Sequence, residues 1–144
     1  MSQLSPRLRA SLERVPDIAR AAAAQAMEEG AQEIVDAMRA TVPVESGALR
    51  DSIGWTWGEV PAGSFTIADV RSGKNRGRQY ATLRLKIYAG NRDAFYARFI
   101  EFGTKTGTPA QPFFHPVWKA KKAAFRKRIR GAVKLAIKRE MPNG

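Results

Sequence analysis

The sequence predicts an α+β domain: a long N-terminal helix, a small antiparallel β-sheet, a short helix and a long, basic C-terminal helix. Apolar residues recur with a period of about 3.6 near both ends of the chain, which is typical of helices. In the middle they alternate with a period of two, as in strands with one buried face. At 144 residues, the chain has the length of a single domain, predicted over 1–144.

The N-terminal region is predicted to form a helix in two pieces. Four apolar residues at helical spacing precede Pro16, which is expected to interrupt the helix. Residues 1–15 would then form a helical arm, and 17–40 the main helix. Gly30 lies inside the main helix, where glycine is unfavourable, and this indicates a close approach by another part of the chain.

Three strands are predicted to follow as an antiparallel meander. They cover about 53–57, 65–70 and 83–87, with turn residues between the first two. The polar, acid-free stretch 71–79 separates the last two strands, and it is expected to form a flexible basic hairpin tip. The two tryptophans of the first strand are interpreted as core and interface anchors.

Two further helices are predicted in the C-terminal third. Phenylalanines at helical spacing predict a short helix between Asp93 and Gly103. A loop rich in glycine, proline and threonine then leads to Pro116. The last helix is predicted over about 115–140, with one apolar stripe facing the core, and 141–144 form a tail.

Charge divides the chain into two unlike halves. The net charge is +12, but residues 1–69 hold six basic and ten acidic groups, giving −4, and residues 70–144 hold nineteen and three, giving +16. The basic half favours a polyanionic partner. The opposite signs also suit head-to-tail association of identical copies. A solvated surface that only maintains solubility is the third interpretation.

Basic residues concentrate in two places. Five recur at every fourth position of the last helix and are expected to form a ridge, whose four neighbouring pairs cost about 1–2 kcal/mol in repulsion. A polyanion or an acidic subunit surface would reverse that cost, whereas screening by solvent is the alternative. The ridge consists of Lys122, Arg126, Arg130, Lys134 and Lys138, and the basic tip contains Arg71, Lys74, Arg76 and Arg78.

The composition argues against an enzyme. The chain has no cysteine and one histidine, which excludes thiolate chemistry and cysteine-ligated metals, so neither a cofactor nor a metal is expected. A small hydrolase is disfavoured because no nucleophile–base pair can be assembled. His115 is assigned a structural or capping role. Glu101 is interpreted as a hydrogen-bond acceptor or as the partner of an arginine at a subunit contact.

A membrane location is not expected. No apolar run approaches the ~18–20 residues that span a bilayer, and the first fifteen residues lack the apolar core of a signal peptide. The sequence therefore predicts a soluble, intracellular protein.

Two motifs together resemble a known family. Residues 43–53 read PVESGALRDSI, which fits the pattern P-x-x-[ST]-G-x-L-[RK]-x-S-I, and residues 96–104 read YARFIEFGT, followed by Pro112, Phe113 and Pro116. In this order, after an alanine-rich helix and before a basic terminal helix, they resemble the head–tail joining and tail-completion proteins of long-tailed phages and prophages. The resemblance covers about 15–140.

The resemblance implies a small α+β subunit without enzymatic activity that forms a ring at the neck or upper end of a tail. Such a ring, a hexamer or dodecamer, would contact a neighbouring neck or adaptor ring and tail-tube proteins, with DNA passing through its lumen. It would be assembled in the bacterial cytoplasm and reside in the virion. The basic tip is expected to reach a neighbouring ring. The alternative is a nucleic-acid-binding protein without sequence preference.

The resemblance also assigns residues to three places. Those that would fix the helix-to-sheet turn are Gly47, Leu49, Ser52 and Ile53. Those that would build the short helix and its loop are Tyr96, Glu101, Phe102, Gly103 and Thr104. Those that would set the start of the last helix are Pro112, Phe113 and Pro116.

Overall fold

The computed structural model describes residues 5–42, 47–71, 83–90 and 114–141. The elements in chain order are α1 (Pro6–Thr41), α2 (Gly47–Asp51), β1 (Gly54–Thr56), β2 (Phe65–Arg71), β3 (Arg84–Ala89) and α3 (His115–Glu140). Two long helices combined with a small antiparallel sheet confirm the predicted α+β class. The last helix lies where it was predicted.

α1 is one continuous helix of 36 residues. Its N-terminus is capped by Ser5, whose Oγ accepts a hydrogen bond from the Leu8 N–H at 3.1 Å. Pro16 lies inside the helix, so the predicted interruption there is wrong. An interior proline costs about 3 kcal/mol or more, but Ser11 and Ala19 on either side of it are both buried. Packing therefore holds the helix together across the proline.

α1 and α3 pack side by side in antiparallel orientation. Arg14, near the start of α1, donates to Glu140 at the end of α3 over 2.5 Å, whereas Gly30 further along α1 faces Phe125. A Cβ atom at position 30 would lie 2.6 Å from Cδ1 of Phe125, closer than such atoms can approach. Only glycine leaves room for this ring, which confirms the close approach predicted at Gly30.

The sheet has the strand order β1-β3-β2, and both pairs are antiparallel. The predicted meander, which would place β2 in the centre, is wrong. β3 occupies the centre, with Leu85, Ile87 and Ala89 fully buried. Gly54 of β1 lies opposite Tyr88 of β3, and a Cβ at position 54 would come within 2.7 Å of the tyrosine hydroxyl. The glycine thus leaves room for the end of the Tyr88 side chain.

β2 contains a β-bulge near its start. Its pairing with β3 skips Ile67, between Thr66 and Ala68. Because the extra residue shifts the alternation of side chains by one, Ile67, Ala68 and Val70 are all buried. The bulge explains how two apolar residues three positions apart, Ile67 and Val70, both reach the core.

The core lies between the inner face of the sheet and the two long helices. Phe114, which precedes α3, is fully buried and its ring centroid lies 6.0 Å from that of Phe65. Phe125 and Ile129 form the buried stripe of α3, and Trp118 meets Phe125 edge-on at 6.0 Å. The largest fully buried side chains are Phe114, Met27, Met38, Leu49, Ile53, Leu85, Ile87 and Val35.

Two predicted features lie outside the described residues: the short helix after residue 91 and all of the basic tip except Arg71. Among the helices that the structure describes, none is both long enough and apolar enough to cross a membrane.

Candidate functional site

The residues of the first motif meet where α2 leads into β1. Leu49 and Ile53 are fully buried, and Gly47 is the first residue of α2. The Oγ of Ser52, also buried, donates to the Leu49 carbonyl at 2.6 Å and accepts from the Gly90 N–H at 2.8 Å. Because Gly90 directly follows β3, Ser52 connects α2 to the end of the central strand.

Arg39 of α1 holds the same turn from the other side. Its Nη2 donates to the Ile53 carbonyl oxygen at 2.7 Å, so α1 is joined to the first residue after the turn. Among the described residues of the motif, Leu49, Ser52 and Ile53 are thus buried or hydrogen-bonded within the fold.

On the side of α3 that faces α1, Arg128 bridges two carboxylates of that helix. Its Nη1 lies 2.8 Å from Oε2 of Glu33, and its Nη2 lies 3.1 Å from Oε2 of Glu29. The hydrogen bond to Glu33, with the charges of both glutamates, raises the pKa of Arg128 above its usual value. Glu29 and Glu33 are one helical turn apart, so the arginine also offsets their mutual repulsion.

The outward side of α3 carries six lysines and arginines, all of them exposed. At about 100° per residue, they fall within an arc of about 120° around the helix. None of the six forms an ion pair with a carboxylate in the part of the chain that the structure describes. We call this set the basic face: Lys119, Arg126, Lys127, Arg130, Lys134 and Lys138.

The basic face differs from the ridge predicted from the sequence. Four of the five ridge residues belong to it, but Lys122 is half-buried. Every fourth position of a helix advances by about 40°, so a strict four-residue series winds around the helix, and its first member reaches the apolar side. Lys119 and Lys127 were missed, although a helical projection of every cation in the segment would have found them.

The outer face of the sheet holds a separate ion pair. Arg84 donates from Nε to Oδ1 of Asp69 at 2.9 Å and from Nη2 to Oδ2 at 2.5 Å. These hydrogen bonds lower the pKa of Asp69 below its usual range. Arg71, at the end of β2, is exposed. The other predicted residues of the basic tip lie outside the described residues: Lys74, Arg76 and Arg78.

Large apolar side chains are exposed at three positions of the described chain. Leu12, Trp57 and Leu135 have exposed fractions of 42%, 37% and 47%. Trp57 meets the ring of Trp55 edge-on at 6.3 Å. Trp55 is held in place because its Nε1 donates to Oε1 of Gln32 on α1 at 3.0 Å. Trp55 therefore packs against the fold, and Trp57 extends the aromatic pair toward the surface.

Leu135 borders a groove of about 260 Å³ between α1 and α3. The groove is lined mainly by alanines of both helices, with charged groups at its rim. Its lining consists of Ala22, Gln25, Ala26, Glu29, Arg128, Ala132, Leu135, Ala136 and Arg139.

The second motif lies almost entirely outside the described residues. Pro116 is exposed in the first turn of α3, where His115 is the first helical residue and half-buried. In the described ranges, no three histidine, cysteine or acidic residues are grouped so as to hold a metal ion. The predicted residues that the structure does not describe are Tyr96, Glu101, Phe102, Gly103, Thr104, Pro112 and Phe113.

Comparison with protein families gives a match over residues 7–103, about two thirds of the chain, to the family described as "Bacteriophage HK97-gp10, putative tail-component". The chain belongs to this family. The HK97-gp10-like family is one of structural phage tail components rather than enzymes, and membership implies a place in the virion and contact with other virion proteins. No curated protein and no solved structure matches the chain.

The matched range of the HK97-gp10-like family includes most of α1, the α2 turn and all three strands, but ends before α3. The family resemblance predicted from the two motifs is confirmed. The basic face, at 119–138, lies outside the matched range.

Proposed function

We propose that this protein is a ring-forming component of the phage neck or upper tail, either a head–tail connector or a tail-completion (tail terminator) protein without enzymatic activity. Identical copies close into a hexamer or dodecamer that joins the DNA-filled head to the tail tube, with DNA passing through the lumen. The observation that carries the proposal is membership of the HK97-gp10-like family over residues 7–103.

Two surface features support association between copies. A closed ring uses a heterologous contact, in which each subunit presents two different patches to its neighbours. The exposed apolar side chains lie on different elements: Trp57 follows β1, and Leu135 lies on α3 beside the alanine-lined groove. Tryptophan is enriched among residues that contribute most to binding. Trp57 and the groove are therefore our candidates for the two patches.

The test is the mass and shape of the purified chain. Native mass spectrometry is expected to give a multiple of 15.9 kDa, and negative-stain microscopy a ring. Trp57→Ala is expected to reduce the ring population, whereas Glu59→Gln, an exposed neighbouring change, is expected to leave it unaltered. A monomer at every concentration tested would contradict the ring.

The basic tip supplies a second test, of joining rather than ring closure. We propose that the tip reaches a neighbouring neck or adaptor ring. Neutralising Arg71, Lys74, Arg76 and Arg78 together is then expected to abolish head–tail joining while the thermal midpoint of the subunit stays unchanged. Normal assembly of infectious or transfer-competent particles by this variant would refute the role.

The second candidate function is a nucleic-acid-binding protein without sequence preference that acts outside a virion. The observation that favours it is the basic face, whose six cations have no carboxylate partner among the described residues. A monomer whose affinity for duplex DNA falls steeply with salt would support this candidate over the ring.

A further inference from the structure

We propose that the basic face of α3 binds duplex DNA through its phosphates, without reading base sequence. The inference rests on the proposed ring function and deepens it, because it names the side of the subunit that is turned toward the DNA. It comes from the structure of α3 and not from the family match, which ends at residue 103.

The first step is the uneven use of charge within α3. Ten of its 26 residues are lysine or arginine and one is glutamate. Among the described residues, Arg128 pairs with carboxylates of α1, whereas the other nine cations of α3, which include all six of the basic face, pair with none. Four of the six, Arg126, Arg130, Lys134 and Lys138, follow one another at single-turn spacing and repel. A polyanion would relieve this repulsion.

The second step is that the surface of α1 in a further copy of this chain matches the basic face poorly. The candidate acidic surface is α1, but it carries six acidic and five basic side chains, for a net charge of −1. Two of its carboxylates, Glu29 and Glu33, are already paired with Arg128. The surface of α1 in a neighbouring copy therefore cannot neutralise the six positive charges of the basic face.

The third step compares the basic face with duplex DNA. From Lys119 to Lys138 the face is about 29 Å long, at about 1.5 Å per residue. A duplex carries one negative charge per ~1.7 Å of its axis, or about 17 charges over that length. The duplex thus has enough phosphates to pair with all six cations. A protein surface of mixed charge does not offer that many negative charges over the same length.

The fourth step concerns specificity. α3 contains no serine, threonine, asparagine or glutamine, so it lacks the amide side chains that read adenine in the major groove. Its arginines and lysines can contact guanine as well as phosphate, so competition between two unrelated duplexes tests sequence independence directly. Contacts to phosphates position a protein on DNA but carry no sequence information. This is the mode of contact that suits DNA of any sequence moving through a ring.

The experiment measures duplex binding by the full chain in a salt series, using the fluorescence anisotropy of a labelled 30-base-pair DNA. If all six cations contact phosphates, log K falls against log salt with a slope of about −5. The triple variant Arg126→Gln, Arg130→Gln, Lys134→Gln is expected to bind more weakly, with a slope shallower by about 3, because three phosphate contacts are lost.

The matched control removes the same charge from a different surface. Arg7, Arg9 and Arg20 on α1 are all exposed, and their joint change to glutamine also lowers the net charge by three. This variant is expected to keep the wild-type slope to within about one. Both triple variants are expected to keep the wild-type circular dichroism spectrum, because every altered side chain is exposed. The basic-face variant is expected to unfold at the wild-type thermal midpoint or slightly above it, because repulsion between like charges is relieved.

Three outcomes would overturn the inference. The first is an equal loss of slope in the two triple variants, since total charge and not the basic face would then be responsible. The second is a strong preference between two unrelated duplexes in competition. The third is unchanged DNA binding by the basic-face variant together with lost particle assembly, which would assign the face to an acidic protein partner.

The inference and the ring proposal fail separately. If the chain stays monomeric and only the basic-face variant loses salt dependence, the DNA-binding surface is supported and the ring is refuted. If the chain forms rings and both triple variants bind DNA like the wild type, the ring is supported and the DNA-binding surface is refuted.

Discussion

The two sides of α3 both carry arginine, but among the described residues only the side that faces α1 pairs an arginine with carboxylates of α1. On the side facing α1, Phe125 fills the space left by Gly30, and Arg128 is paired with Glu29 and Glu33. On the outward side, the basic face has no carboxylate partner within the described ranges. The difference teaches that, among the described residues, a cation on this helix forms an ion pair with α1 only where α1 supplies a carboxylate within reach. Elsewhere it remains available for binding.

The largest expected loss of stability comes from removing a buried side chain on the side of α3 that faces α1. Phe125 is 3% exposed, and replacing such a side chain with alanine leaves a cavity, so Phe125→Ala is expected to lower the free energy of unfolding by about 3–5 kcal/mol. The control is Arg126→Ala, the next residue and part of the basic face, which is expected to change it by no more than about 0.5 kcal/mol. Urea denaturation measures both, and comparable losses would contradict the comparison.

The same substitution, glycine to alanine, is expected to have opposite effects at the contact between α1 and α3 and on the exposed part of α3. Gly30→Ala places a methyl group 2.6 Å from the buried ring of Phe125. Overpacking of about 1–3 kcal/mol exceeds the helix preference of alanine, up to about 1 kcal/mol, so a net loss of up to about 2 kcal/mol is expected. Gly131→Ala on α3 meets nothing within 4 Å and is expected to stabilise by up to about 1 kcal/mol. Thermal unfolding that shows the same sign for both would be the contrary result.

Removing one arginine from each side should change stability in opposite directions. Arg128→Gln leaves Glu29 and Glu33 to repel each other, and it is expected to lower the free energy of unfolding by about 0.2–1 kcal/mol, the range of exposed ion pairs. Arg126→Gln relieves repulsion with like charges one turn away and is expected to raise it by a few tenths of a kcal/mol. Chemical denaturation at low salt measures both, and two losses of equal size would refute the prediction.

The smallest expected effect is the response of stability to salt. Added salt screens the repulsion along the basic face more than it weakens the pairs of Arg128, because the basic face holds more interacting charges. The wild-type free energy of unfolding is therefore expected to rise slightly between low and moderate salt. The triple variant Arg126→Gln, Arg130→Gln, Lys134→Gln is expected to lose most of this rise. If the free energy of unfolding rises with salt as much in that variant as in the wild type, the repulsion does not lie along the basic face.

Local sequence patterns were sufficient to predict the helices and strands themselves. Helical spacing predicted α3 over its observed length, and a glycine inside a helix predicted the close approach at Gly30. The family resemblance also followed from two short motifs, because Leu49, Ser52 and Ile53 are constrained by the turn that they build. The helical spacing and the motifs depend on residues near one another in the chain, and so the sequence alone determined them. The partner at Gly30 is the ring of Phe125, 95 positions away, and only the tertiary structure identified it.

Contacts between distant parts of the chain decided the rest. The helix continues through Pro16 because buried neighbours on both sides compensate for a missing hydrogen bond. β3 lies in the centre of the sheet because β1 pairs with it, with Gly54 opposite Tyr88, 34 positions apart. The sequence by itself determined that the last helix is crowded with positive charge. Only the tertiary structure decided which charges are neutralised, because the carboxylates of Glu29 and Glu33 reach Arg128 only after α1 and α3 have packed together.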